Sequence, residues 1–250
     1  MSFQTILITG ATAGIGFEAA KHYLNQGWRV VFTGRNEDKI ATATAKLLEN
    51  ASTPEHVLGV LCDNANAQHY SALVAKISEQ AGPLDAVILN AGVFYPKMFS
   101  DTEFSELDQT MLVNFTGPAM LLQALLPVLN NPCSVVYVSS IAVERAFATA
   151  SAYSASKAAF EAYANVLNLE LAAQGIRINY LRPGVTATEI QGKAGMDESQ
   201  IAALNASLAN LPLGRMLAPT EMLSSFDFLT SENSLALRGA HITVDGGYCL

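Results

Sequence analysis

The chain carries little charge. Of its 250 residues, 14% are Asp, Glu, Lys or Arg, where a soluble domain has about 25%. Basic residues are the scarcer sign: 14 Lys and Arg against 22 Asp and Glu leave a formal net charge of -8. That balance disfavours a nucleic-acid binder, which needs a basic face to displace counterions, and a polybasic membrane contact. Cys62, Cys133 and Cys249 are three, with no CxxC pair. That argues against a disulfide framework or a zinc site and for a reducing, cytoplasmic setting. His22, His56, His69 and His241 are scattered without HExxH spacing, so no metal is expected. The longest apolar stretch, residues 119–129, is broken by Gln123 and Pro127 and falls short of the ~20 residues a bilayer needs. No membrane contact is expected. The opening MSFQTILITG has no basic segment before its apolar run, so a signal peptide is not expected either.

Apolar residues, by contrast, make up 50% of the chain, enough for a large buried core. Short Val- and Ile-rich runs (TILIT, RVVFT, HVLGVL, DAVIL, SVVYVSS, IRINYL, HITV) read as strands. Between most of them lie longer segments with apolar residues three and four apart, the helical period. These are GFEAAKHYLNQ, EDKIATATAKLLEN, AQHYSALVAKISEQ, residues 101–129 and YSASKAAFEAYANVLNLELAAQ. Gly27, Gly82 and Gly175 follow three of them, where helix C-caps are expected. Alternation of this kind predicts an α/β fold: a doubly wound, Rossmann-like parallel sheet of about seven strands, one domain over residues 1–250. Residues 185–219 form the one long connection without a strand, which predicts a substrate loop.

Directly after the first strand comes Thr9-Gly10-Ala11-Thr12-Ala13-Gly14-Ile15-Gly16, followed by a helix. Glycines let the backbone turn sharply and approach a ligand. The helix start then offers free N–H groups to a pyrophosphate. The spacing is GxxxGxG, not GxGxxG, and an ordinary strand-to-helix turn is the competing reading. The second strand ends Thr33-Gly34-Arg35. Gly34 stands where an NAD site places an acidic residue on the ribose. Arg35 can instead pair with a 2′-phosphate. NADP(H) is therefore expected, with NAD(H) open as the alternative. A solvated Arg35 paired with Glu37 or Asp38 is the bland reading.

Tyr153 and Lys157 lie one helical turn apart, on one face. A free phenol has a pKa of ~10. An ammonium ~4 Å away at an effective dielectric of ~20 is worth about 4 kcal/mol, or roughly three pKa units. That predicts a phenol near neutrality. Thirteen residues earlier, Ser140 ends the fifth strand, where ligands bind in such sheets. Its hydroxyl can stabilise a carbonyl oxygen as charge builds; a helix cap is the bland reading.

These residues, in this order, resemble the short-chain dehydrogenase/reductase family in its compact form. The likeness runs from the Thr9–Gly16 loop to Val244-Asp245-Gly246-Gly247. It takes in Asp63 and Asn64, Asn90-Ala91-Gly92, Asn114, Ser140, the Tyr153/Lys157 pair, Pro183-Gly184-Val185 and Thr188. The resemblance implies Tyr153 as general acid and base, with Lys157 lowering its pKa and holding the nicotinamide ribose. Ser140 would orient the carbonyl and Asn114 would hold a relay water. Asp63 would contact the adenine and Asn90 the adenosine side, with Asn64, Ala91 and Gly92 also in the cofactor site. Val185 and Thr188 would contact the carboxamide, with Pro183 and Gly184 also on the cofactor, while Gly10, Thr12, Gly14, Ile15 and Gly16 hold the phosphates. It also implies a homotetramer or homodimer paired through the helices near residues 112–129 and 153–174.

The expected reaction interconverts a ketone and a secondary alcohol. Pocket walls are expected from Phe94, Tyr95, Met98, Val143, Phe147 and residues 190–217, mostly apolar, which predicts a small, largely hydrophobic substrate. Arg145, Lys97 and Lys193 are candidates for meeting a negative group. The alternatives are a non-catalytic NADP(H)-binding protein, a 3-oxoacyl reductase, and an epimerase or dehydratase acting on a nucleotide-sugar.

Overall fold

The computed structural model describes residues 3–250; residues 1 and 2 of the expected domain lie outside them. Seven strands form one parallel sheet: β1 (Thr5–Ile8), β2 (Arg29–Gly34), β3 (Val57–Leu61), β4 (Leu84–Leu89), β5 (Leu129–Val138), β6 (Ile176–Pro183) and β7 (His241–Val244). Their order is β3-β2-β1-β4-β5-β6-β7. The order reverses between β1 and β4, and a crevice opens there at the carboxyl ends of the strands. Register keeps those ends level: Ile8 pairs with both Phe32 and Ile88.

Alternating strand residues feed two cores, as a sheet buried on both faces requires. Leu7 and Val31 pack with Leu73 and Leu121. Ile6, Ile8, Val30 and Phe32 pack with Ala19, Ala20 and Phe226. The first core is closed by α3 (Gln68–Lys76), α5 (Gly117–Leu125) and α6 (Ser151–Glu170), the second by α1 (Gly14–Asn25), α2 (Glu37–Leu48) and α9 (Leu223–Thr230). Fully burying each Ile, Leu or Val contributes roughly 1.5–3 kcal/mol. Gly27, Gly82 and Gly175 all have positive φ after their helices.

The structure departs from the sequence reading in three places. Residues 101–129 are not one regular helix: α4 (Phe104–Met111) runs through a π-helical turn, Leu112–Thr116, into α5. The segment Phe104–Val128, in which an 18-residue window has a mean hydropathy of 1.5, is long and apolar enough to cross a membrane by length and composition. The sequence reading measured only its second half. Half of that window is buried inside the fold, where α4 packs against α6 and α5 against α3. Second, β5 begins at Leu129, earlier than its apolar run, and pairs with Leu84 before a register shift. Third, residues 185–219, read as a connection without a strand, also contain helix. They hold α7 (Ile190–Lys193) and α8 (Glu198–Ser207), and a parallel bridge joins Thr186 to Leu217.

Candidate active site

The loop between β1 and α1 is fixed by the loop after β4. The Thr9 hydroxyl accepts from the Asn90 and Ala91 N–H groups at 2.9 and 3.0 Å. The Asn90 amide in turn donates to the Thr9 and Gly10 carbonyls at 2.9 and 3.2 Å. Gly10 has φ 65°, and a Cβ there would lie 2.8 Å from the Ala91 Cα. One on Gly16 would lie 2.6 Å from the Asn90 amide nitrogen. No side chain caps the start of α1 at Ala13, so the first-turn N–H groups are left for an anion.

A cavity of about 460 Å³ opens beside this loop. Around it the fold gathers Gly10, Thr12, Gly14, Ile15, Arg35, Asp63, Asn64, Asn90, Ala91, Gly92, Ser140, Tyr153, Lys157, Pro183, Gly184, Val185 and Thr188. Gly16 and Asn114 stand behind that lining. Several of these groups also do local structural work. An Asp63 carboxylate oxygen accepts from the Ala65 N–H at 3.0 Å, and Asn64 donates to the Val113 carbonyl at 3.3 Å. The Thr188 hydroxyl accepts from the Ile190 N–H at 3.3 Å.

At the far end of the cavity Gly34 has no room for a side chain. A Cβ there would meet Thr12 at 2.6 Å and Ile40 at 2.9 Å. Beside it a small pocket is lined by Thr12, Arg35, Asn36, Lys39 and Lys193. Among the described residues no carboxylate lies within ion-pairing distance of Arg35. Glu189 takes both neighbouring lysines, Lys193 at 2.8 Å and Lys39 at 3.9 Å. Lys39 had no sequence signal beyond its place in a surface helix; only the fold brings α2 against the loop carrying Lys193.

At the other end sit Ser140, Tyr153 and Lys157. Ser140 caps the short turn Ile141–Val143, its hydroxyl accepting from the Ala142 N–H at 3.1 Å. It does so while facing the cavity. The Lys157 ammonium is buried and donates to the Val138 carbonyl at 2.8 Å. Dehydration pulls its pKa down to about 7, and the charge of Glu161 opposes this. Burial raises the Tyr153 phenol above its ordinary value, and a hydrogen bond with Ser140 works the other way. The phenol near neutrality anticipated from spacing is therefore absent in the protein alone. That expectation counted the ammonium's charge and left out dehydration, which acts against both charged forms. Asn114 is fully buried. Its amide accepts from the Val93 N–H at 2.8 Å and donates to the Val93 carbonyl at 2.9 Å and the Ser156 hydroxyl at 3.0 Å. It braces the loop after β4 against α6. Gly92 makes room for this: a Cβ there would press on Asn114 at 3.2 Å and on the Lys157 ammonium at 3.3 Å.

Residues 10–249 match a family model described as Enoyl-(Acyl carrier protein) reductase. The human protein "Dehydrogenase/reductase SDR family member 4" is 31% identical over 248 residues, 98% of this chain and 87% of its own. The chain is a short-chain dehydrogenase/reductase. Glucose 1-dehydrogenase of Gluconobacter oxydans is 30% identical over 250 residues, covering 99% of this chain and 92% of its own. A solved short-chain dehydrogenase/reductase from Brucella melitensis, titled glucose/ribitol dehydrogenase, superposes with a TM-score of 0.88. It is 27% identical and covers 99% of this chain and 98% of that one. This short-chain dehydrogenase/reductase is an oxidoreductase acting on CH-OH donors, with a nicotinamide cofactor. The residues fit such a dinucleotide: close-packed glycines, an uncapped helix start and the long cavity form a cradle for it. That activity sets aside the non-catalytic alternative.

The substrate end of this short-chain dehydrogenase/reductase differs from expectation in detail. Phe94, Tyr95, Phe147, Ile190, Met196 and Leu204 line the cavity; Met98 and Val143 do not. Met98 is 55% exposed, and it is Ala142 that reaches the lining in place of Val143. Tyr248, which carried no sequence signal, joins the wall from the C-terminal tail. Its ring lies 5.4 Å from Phe147. Arg145 sits over Tyr248 and donates to its carbonyl. Lys97 pairs with Glu106 at 2.6 Å. Neither cation is part of the cavity lining.

Proposed function

We propose that this enzyme uses NADP(H) to interconvert a ketone and a secondary alcohol on a small, largely hydrophobic substrate. The observation that carries the cofactor choice is the pocket of Arg35, Lys39 and Lys193 beside a Gly34 without room for a carboxylate. A 2′-phosphate there meets Arg35 free of any competing ion pair among the described residues. The bound cofactor supplies the hydride chemistry. In reduction the Tyr153 hydroxyl gives its proton to the substrate oxygen; in oxidation the phenolate takes one. The Ser140 hydroxyl donates a hydrogen bond to that oxygen as charge builds on it. Lys157, in its protonated form, places positive charge beside the phenol and favours its ionised form. Asn114 keeps Val93 and Ser156 in place around the pair.

The aromatic and aliphatic wall of Phe94, Phe147, Ile190, Met196 and Tyr248 supports an apolar substrate. Residues 185–219 act as the substrate loop. Exposed apolar residues along α5 and α6 support assembly into a homodimer or homotetramer. A panel of ketones offered with NADPH and with NADH, followed by cofactor absorbance, tests the reading. Turnover is expected with NADPH and apolar ketones; turnover with NADH alone would refute the cofactor choice.

A further inference from the structure

Three parts of the site meet on Tyr137, a residue that the roles above leave unused. It lies in β5, three positions before Ser140, and is fully buried. Phe160 of α6 stacks on its ring, centroids 3.9 Å apart and planes at 18°. The Lys157 ammonium lies over the same ring, 4.7 Å from its centroid, nearer than to the Tyr153 ring at 5.7 Å. The Tyr137 hydroxyl donates to the Asn114 carbonyl at 2.7 Å, inside the π-helical turn.

An aliphatic side chain at this position would fill the core as well. An aromatic face does more, because its negative quadrupole attracts a cation, most strongly where water is excluded. The ammonium needs that attraction. It has a hydrogen bond to the Val138 carbonyl, and dehydration works against its charge. The ionisable groups facing it are few. Tyr153 and Glu161 come from its own helix and Tyr137 from β5. Arg182 of β6 pairs with Glu161 at 2.6 Å and so draws on that carboxylate's charge.

We propose that Tyr137 is a positioning residue for Lys157: its ring face holds the ammonium, and its hydroxyl ties the π-helical turn bearing Asn114 to the strand that leads into Ser140. The functional consequence rests on the reading of Tyr153 and Lys157 given above.

The test is an NMR titration of the cofactor-free protein carrying ¹³C-labelled lysine, with the Lys157 signal assigned through Lys157→Met. Tyr137→Leu removes the ring and is expected to lower the Lys157 midpoint by about one pH unit. Tyr137→Phe keeps the ring and is expected to leave the midpoint in place. A fluorinated phenylalanine at position 137 keeps the shape but strips the negative face, and so keeps the test available where Tyr137→Leu does not fold. It is expected to shift the midpoint as Tyr137→Leu does. A midpoint unmoved in the ring-free or fluorinated protein overturns the proposal. Tyr153→Phe separates the two ideas. If it keeps turnover, the catalytic reading fails; if it is inactive while Tyr137→Leu and the fluorinated protein keep the parent's Lys157 midpoint, only the role of Tyr137 fails.

Discussion

The Ser139 hydroxyl donates to the Glu161 carboxylate at 2.5 Å, tying the end of β5 to the middle of α6. The same carboxylate accepts from Arg182 of β6 at 3.1 and 2.6 Å. One buried acid thus joins the strand that leads into Ser140, the helix that carries Tyr153 and Lys157, and the strand that ends at Pro183. Replacing it with alanine leaves Arg182 half-paired in a dry site. Glu161→Ala is expected to cost about 3–5 kcal/mol, read from urea denaturation. A loss under ~1 kcal/mol, the worth of a surface pair, would show that the network is not structural.

Lys157 makes stability depend on pH in a direction that can be worked out. Its folded pKa, about 7, lies below the ~10.4 of an unfolded lysine. Between those values the unfolded chain binds the extra proton, so stability rises with pH across that window. Below about pH 7 both states are protonated and the full cost of the buried charge is present. The stability of the parent minus that of Lys157→Met is expected to climb from pH 7 towards 10, by at most ~1.4 kcal/mol per pH unit. Denaturation curves across that range check it, and a flat difference would contradict it.

Arg35 tests the cofactor assignment. A charge-assisted hydrogen bond contributes about 1.5–3 kcal/mol, or roughly 10–100-fold in affinity. Arg35→Ala is expected to weaken NADP⁺ binding by that factor and to leave NAD⁺ binding unchanged. Fluorescence titration with each cofactor decides it; equal losses for both would remove the 2′-phosphate from this pocket.

Sequence pattern alone predicted all seven strands: the central ones, such as β1 and β4, are buried and read as short apolar runs, and even the half-buried β7 keeps a short β-branched run. The Gly10–Gly16 loop and the Tyr153/Lys157 pair were legible too: their spacing lies within one loop or one helical turn. What depended on distant segments was not legible. Lys39 meets Lys193 only because α2 and the loop after β6 converge on one end of the cavity. Tyr248 reaches the substrate wall only because the tail folds back past Phe147. The helical period of residues 101–129 does not reveal the π-helical turn at Asn114, which tertiary hydrogen bonds to Val93 and Ser156 accompany. The ionisation of Tyr153 was misjudged because burial is a property of the fold, not of the spacing to Lys157.

The outer faces of α5 and α6 leave Met120, Tyr163, Val166 and Leu169 exposed, Leu169 by 80%. If they meet across a two-fold axis, light scattering finds a dimer or tetramer, and Val166→Glu with Leu169→Glu shifts it towards the monomer. A monomer for the parent protein would contradict the assembly.

Tyr153→Phe keeps the ring and its contact with Phe94, 5.0 Å between centroids, and removes only the hydroxyl that gives and takes the proton. General acid–base catalysis contributes about 10²–10⁴-fold. Turnover of a ketone from the panel, followed by oxidation of NADPH, is expected to fall by that factor with cofactor affinity retained. A Tyr153→Phe enzyme that reduces the same ketone at the parent rate would contradict the account at its centre.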